Sequence, residues 1–175
     1  SMTDSLTRTL TKFGDKKLIE KFFDQLTSQD LDHLFQGAMF MTEQHAGSDV
    51  GSIDTYAEYE DGNWFLTGDK WFCSNPDADL AMVLARHNKT ISGTKGLALF
   101  LLPKKLENGN QNNYEIIRLK DKLGGRSFAS GEIKLNRAFA YLVGNPDEGF
   151  KQMTDMINMS RLSNGVRAVS YTHLT

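Results

Sequence analysis

The dipeptide Asp61-Gly62 stands between two short runs of strand-forming residues, Tyr56 to Glu60 and Asn63 to Thr67. A type I′ turn needs positive φ at both central positions, which Asp-Gly tolerates and few pairs do, so the segment predicts a β-hairpin. Further strand-like runs follow at Leu80 to Arg86, Gly96 to Leu102, Tyr114 to Leu119, Gly131 to Leu135 and Phe139 to Val143. Asn75-Pro76-Asp77, Ser92-Gly93, Gly109-Asn110 and Gly124-Gly125 punctuate them. No stretch of helical period lies between these runs to carry a crossover. A parallel sheet is therefore disfavoured, and an antiparallel barrel or sandwich is expected.

Helical spacing brackets this β region. Leu6, Leu10 and Phe13, then Leu18, Phe22, Phe23 and Leu26, mark two short helices separated at Gly14-Asp15. Asp30 to Gln36 fits either a further helical turn or a loop. After Asn145-Pro146-Asp147 the period returns with Phe150, Met153, Ile157, Met159, Leu162, Val166 and Val169, a helix expected to lead into a further helical domain. Ser170 to Thr175 leaves that pattern, as a frayed end or a foreign tail, and Ser1-Met2 reads as a cloning remnant. The expected class is mainly β with flanking helices, α+β overall. Its expected divisions fall at residues 1–37, 38–145, 146–169 and 170–175.

A hydrophobic fraction of 39% with 24% charged residues suits a packed core under a soluble surface. The formal charge of −2 gives no electrostatic footprint for nucleic acid. No apolar run approaches the roughly 20 residues that span a bilayer. The single cysteine, Cys73, cannot form an internal disulfide, in keeping with a reducing, cytoplasmic setting.

The stretch Met41-Thr42-Glu43-Gln44-His45-Ala46-Gly47-Ser48-Asp49-Val50-Gly51 concentrates small and hydroxyl residues before a strand. Such a loop can come close to an anionic or heteroaromatic ligand, since Gly47 has no side chain and permits unusual φ. It can equally be a plain turn capped by Asp49, and the residues alone leave both open.

The motif Thr-Glu-x-x-x-Gly-Ser-Asp resembles the flavin-binding signature of the acyl-CoA dehydrogenases. Gly68-Asp69-Lys70-Trp71-Phe72-Cys73-Ser74-Asn75 is similar to that family's second block. Leu123-Gly124 to Phe128 and Gly144 to Phe150 are similar to two further family turns, in the same order and at matching spacing. The resemblance covers about Leu6 to Val169. It implies the end of an N-terminal helical domain, a complete middle β-barrel and the start of a C-terminal helical bundle. Met-Thr-Glu-x-x-x-Gly-Ser-Asp-Val, Lys-Trp-Phe-x-Ser and Arg161-Leu162-Ser163-Asn164 resemble most closely the bacterial adaptive-response branch associated with alkylation damage.

The resemblance implies FAD as cofactor and an acyl-CoA thioester as substrate. Hydride would leave the β-carbon for flavin N5 while a glutamate removes the α-proton. It assigns the backbone from Met39 through Met41 to Gly47 and Ser48 to the cofactor. Thr42 would lie at the pyrimidine edge, and Ser48 near the pyrophosphate and the thioester arm. Phe72 would cover a ring face and Ser74 would bond near N5 and O4. Phe72 replaces the more usual Trp, and His45 stands where Gly is common. The resemblance implies that most branches carry that glutamate in the C-terminal bundle and a minority just before the conserved helix Arg. That position is Ser160 here, so no catalytic residue is expected in this chain and the fragment is expected to be inactive. A homo-oligomer is implied for the full-length protein. Two other readings are a DNA-protective alkylation-response flavoprotein and a non-redox β-barrel binding module.

The remaining candidates read simply. His33, His45, His87 and His173 lack metal-ligand spacing and read as surface or turn residues. Cys73 and the Met153, Met156, Met159 run read as packing residues. Glu43 reads as structural, and Gly109 to Asn113 as a solvated loop.

Overall fold

The computed structural model describes residues 2–174; Ser1 and Thr175 lie outside the described residues. Helices α1 (Met2–Phe13) and α2 (Lys16–Thr27) open the chain. Asp15 caps α2, its carboxylate accepting from the Leu18 N–H at 2.8 Å. Residues 30–36 form bends and turns, not a helix. Seven strands follow: β1 (Gly37–Phe40), β2 (Tyr56–Glu60), β3 (Asn63–Ser74), β4 (Leu80–Arg86), β5 (Leu97–Pro103), β6 (Tyr114–Leu119) and β7 (Ser130–Val143). Helix α3 spans Gly149–Leu174.

The strands close a five-membered ring, β1 to β3 to β7 to β5 to β4 and back to β1. β2 pairs with the first half of β3, and β6 pairs with β7 outside the ring. Asp61 and Gly62 both take positive φ, +48° and +82°, as the hairpin requires.

The barrel is not wholly antiparallel. β1 runs parallel to β4, from Gly37 opposite Leu80 to Phe40 opposite Val83, and β2 meets β4 in parallel at Tyr56 and Arg86. A parallel pair needs a long connection, and the β2–β3 hairpin supplies it without a helix. The two runs expected at Gly131 to Leu135 and Phe139 to Val143 are one strand. It is bent at Arg137 (φ +52°), where β3 also shifts register between Leu66 and Gly68.

Alternation divides the apolar residues between two cores. Ala81, Val83 and Ala85 on β4, with Ala98, Phe100 and Leu102 on β5, point into the barrel. The intervening Leu80, Met82, Leu84, Leu97, Leu99 and Leu101 meet Leu6, Leu10, Leu18, Phe22, Leu26, Met153 and Met156 of the helices. Covered on both faces, β4 and β5 read as nearly unbroken apolar runs. Gly149 seats the start of α3 on β5, where a Cβ would overlap the backbone of Ala98 and Leu99.

Two further expectations need correction. Residues 170–174 continue α3 rather than leaving it, because neither Gly nor Pro follows Gly165 in that helix and the Thr172 hydroxyl bonds Ala168 O at 2.9 Å. Asn112 is not part of a merely solvated loop. It is buried, donates to Pro103 O at 2.7 Å and Phe139 O at 2.8 Å, and accepts from the Phe139 N–H at 3.0 Å. Among the described residues, no helix is long and apolar enough to cross a membrane.

Candidate functional site

The motif loop and the second block meet at the end of the barrel where β1 pairs with β3, Met39 standing opposite Ser74. Between this seam and α3 lies a cleft of about 760 Å³. Met39 and Ser74 line it from the barrel, Thr3 from α1, Ser127 and Phe128 from the turn before β7, and Ser160 from α3. Sequence reasoning had therefore named three residues that the fold brings to one cleft, two as cofactor contacts and one as the position without a base.

Three of the cleft's hydroxyls are unspent, whereas the Thr3 hydroxyl accepts from the Gly37 N–H at 3.0 Å. The hydroxyls of Ser74, Ser127 and Ser160 make no hydrogen bond among the described residues, whereas those of Thr7, Thr9, Thr11, Thr27 and Thr154 each bond the carbonyl four residues back. A half-buried, unspent hydroxyl at the seam is available to a ligand.

A buried ion pair joins the loop to β3. Lys70 is wholly buried, and its ammonium donates to Glu43 Oε1 at 2.7 Å and to Met41 O at 3.3 Å. The Glu43 carboxylate also accepts from the backbone N–H groups of Asp54 (2.7 Å) and Thr55 (3.1 Å). The Trp71 N–H donates to Thr42 O at 2.8 Å, so the loop is pinned to β3 at successive residues. Burial alone would raise the Glu43 carboxyl, but the Lys70 charge and the converging donors hold it below its ordinary range. Burial lowers Lys70 in turn, against the pull of Glu43. The expectation of a structural role for Glu43 fits these contacts. The sequence motif alone gives Lys70 no role. Its signal is a lysine directly before two aromatic residues in a strand-like run.

Strict alternation along β3 would put Phe72 and Ser74 on one face, with Trp71 and Cys73 on the other. A bulge breaks it. Register shifts between Lys70 and Cys73, and Phe72 takes φ +49°. Cys73 enters the barrel interior, fully buried, where burial pushes its thiol up to about 12. Trp71 does not follow it inward. Its ring packs edge-on to Phe72, with Lys120 Nζ over its face. Phe72 is exposed beside this pair and does not line the cleft.

Gly47 and Ser48 stand exposed at the loop tip. Gly47 does not use positive φ, and a Cβ there would meet nothing within 4 Å, so its own fold does not require glycine. Asp49 caps the following turn through the Gly51 N–H at 3.1 Å. Met41 is half-buried against the helix-side core.

A second cleft, about 420 Å³, lies between α2 and β7, walled by Tyr59, Trp64, Phe139 and Tyr141 with Lys21 at its edge. It contains none of the motif residues.

The sequence profile of the acyl-CoA dehydrogenase middle domain matches residues 38–138. The chain is 38% identical, over 98% of its length, to acyl-CoA dehydrogenase family member 11 of Caenorhabditis elegans, and spans 29% of that protein. It is 43% identical over 70% of its length to AidB of Escherichia coli, a member of the adaptive-response branch, and spans 22% of it. The solved structure of C. elegans ACDH-11 in complex with C11-CoA superposes with a TM-score of 0.87 at 37% identity. It covers 97% of this chain, which spans 30% of that one.

Proposed function

The chain belongs to the acyl-CoA dehydrogenase family, and from that premise we propose that it is the middle portion of a flavin-dependent enzyme that desaturates acyl-CoA thioesters. The observation that carries this reading is the cleft at the β1–β3 seam, where Met39 converges with the unspent hydroxyls of Ser74, Ser127 and Ser160. In this reading residues 1–37 close an N-terminal helical domain, 38–145 form the barrel and 146–169 open the C-terminal bundle.

The residues present fit FAD. A planar heterocycle with polar edge atoms needs an apolar wall and a hydroxyl at its rim, and Met39 opposite Ser74 supplies both. Ser74 would donate to the ring's polar edge. Thr42 and the backbone from Met39 to Ser48 would follow the ring and pyrophosphate, with exposed Ser48 close to the thioester arm. Exposed Phe72, which stands outside the cleft, would cover only a part of the ring that extends beyond it. When bound, the flavin accepts hydride from the β-carbon. Ser160 cannot remove the α-proton, so the base comes from outside this chain and the fragment turns nothing over. The same reading implies a homo-oligomer in the cytoplasm.

Ser74→Ala in the full-length protein is expected to weaken FAD about three- to tenfold, the worth of one neutral hydrogen bond of roughly 0.5–1.5 kcal/mol. Cys73→Ala, inside the barrel, is expected to change stability and leave FAD affinity alone. Titration of FAD into the two apoproteins checks this. Equal affinities, or a greater loss in Cys73→Ala, would contradict the placement.

A further inference from the structure

Lys70 and Glu43 take no part in the chemistry proposed above, yet they are among the most completely buried charges in the chain. A buried ion pair seldom repays its desolvation in stability alone, and an apolar pair of similar volume often does as well or better. What the pair does hold is specific. Its contacts reach Met41 O on one side of the loop and the Asp54 and Thr55 N–H groups on the other. Between those anchors lie all the loop residues from Thr42 to Ser48. Arg86 completes the frame, donating to Gly51 O at 2.6 Å and Ile53 O at 3.3 Å.

We propose that Lys70 and Glu43 form a positioning pair that fixes the Met41–Ser48 loop against the Trp71–Phe72 bulge and so sets the orientation of the flavin, an inference that rests on the flavin reading above. The geometry is direct. Lys70 is the residue before the bulge, and the Trp71 N–H inside it donates to Thr42 O. One side chain and one amide thus tie the loop expected at the pyrimidine edge to the strand that carries Phe72 and Ser74. Apolar side chains could fill the same volume, but they could not bond Met41 O or the two amides. Packing would survive, and loop register would not.

The test uses the full-length protein, with FAD as the probe. Glu43→Gln and the double variant Glu43→Leu/Lys70→Met are compared with the parent by thermal unfolding, FAD titration and flavin midpoint potential. The double variant is expected to fold and to lose less apoprotein stability than Lys70→Met alone, while binding FAD about tenfold or more weakly, with a shifted potential. Glu43→Gln is expected to weaken FAD as well. A folded double variant with parental affinity and potential would overturn the inference and leave the flavin reading standing. A double variant that cannot fold would also overturn it, since the pair would then serve folding alone. A parent protein that binds no FAD would remove the flavin reading and the inference together.

Discussion

Replacing Lys70 with Met is expected to destabilise the 175-residue chain by about 3–5 kcal/mol at neutral pH, the usual cost of removing one partner from a buried ion pair. Glu43 would keep its two backbone donors from Asp54 and Thr55 but lose the cation that pairs with it among the described residues. The loss should also depend on pH with a definite sign. In the parent, the carboxyl is held below its ordinary 4.5, so its stabilisation is present above that value and disappears as pH falls through the folded one. Burial lowers Lys70 against the pull of Glu43, so its own shift weighs against folding at low pH and is relieved as pH rises. In the variant, protonation of Glu43 relieves an unpaired buried charge. The deficit should therefore be greatest near pH 7 and shrink below about pH 4.5. Urea unfolding at both pH values measures it; a deficit under about 1 kcal/mol, or one independent of pH, would contradict the assignment.

A loss of similar size is expected from Phe100→Ala. Half of the barrel-interior cluster is alanine, so a narrow barrel is filled by few large side chains, and Phe100 is among the largest of them, fully buried. Trp64 packs on it at 5.3 Å between ring centroids. Truncation would leave a void that a closed ring of hydrogen-bonded strands cannot collapse to fill, costing about 3–5 kcal/mol. Phe128→Ala, at the exposed turn beside the cleft, is the control and should cost almost nothing. Chemical denaturation of both variants decides the matter. Comparable losses would mean that the interior is looser than its burial indicates.

Features with a local cause were legible in the sequence. The Asp61-Gly62 hairpin followed from φ requirements, and the α1–α2 break from Gly14 and the Asp15 cap. The strands β2 and β4 came out residue for residue. What escaped was set by contacts distant in sequence. β1 has only four residues, and its parallel partner lies some forty residues on, past the hairpin. The Phe72 bulge reverses an alternation that the residues themselves would support, because its register is decided by β7. Asn112 looks like any loop asparagine until β5 and β7 converge on it. The site shows the same division. Met39 and Ser74 were identified through the family motifs, and their opposition across a seam needed the fold. Glu43 and Lys70 are twenty-seven positions apart, and no sequence period links them.

The central claim is that this chain carries the flavin-facing barrel of an acyl-CoA dehydrogenase. Anaerobic titration of the full-length, FAD-loaded protein with straight-chain and branched acyl-CoAs tests it most directly. The account predicts that at least one thioester bleaches the flavin's visible absorption in a saturable way, and that Ser74→Ala shifts the flavin spectrum before substrate is added. A full-length protein that takes up no FAD, or whose bound FAD no acyl-CoA reduces, would contradict it.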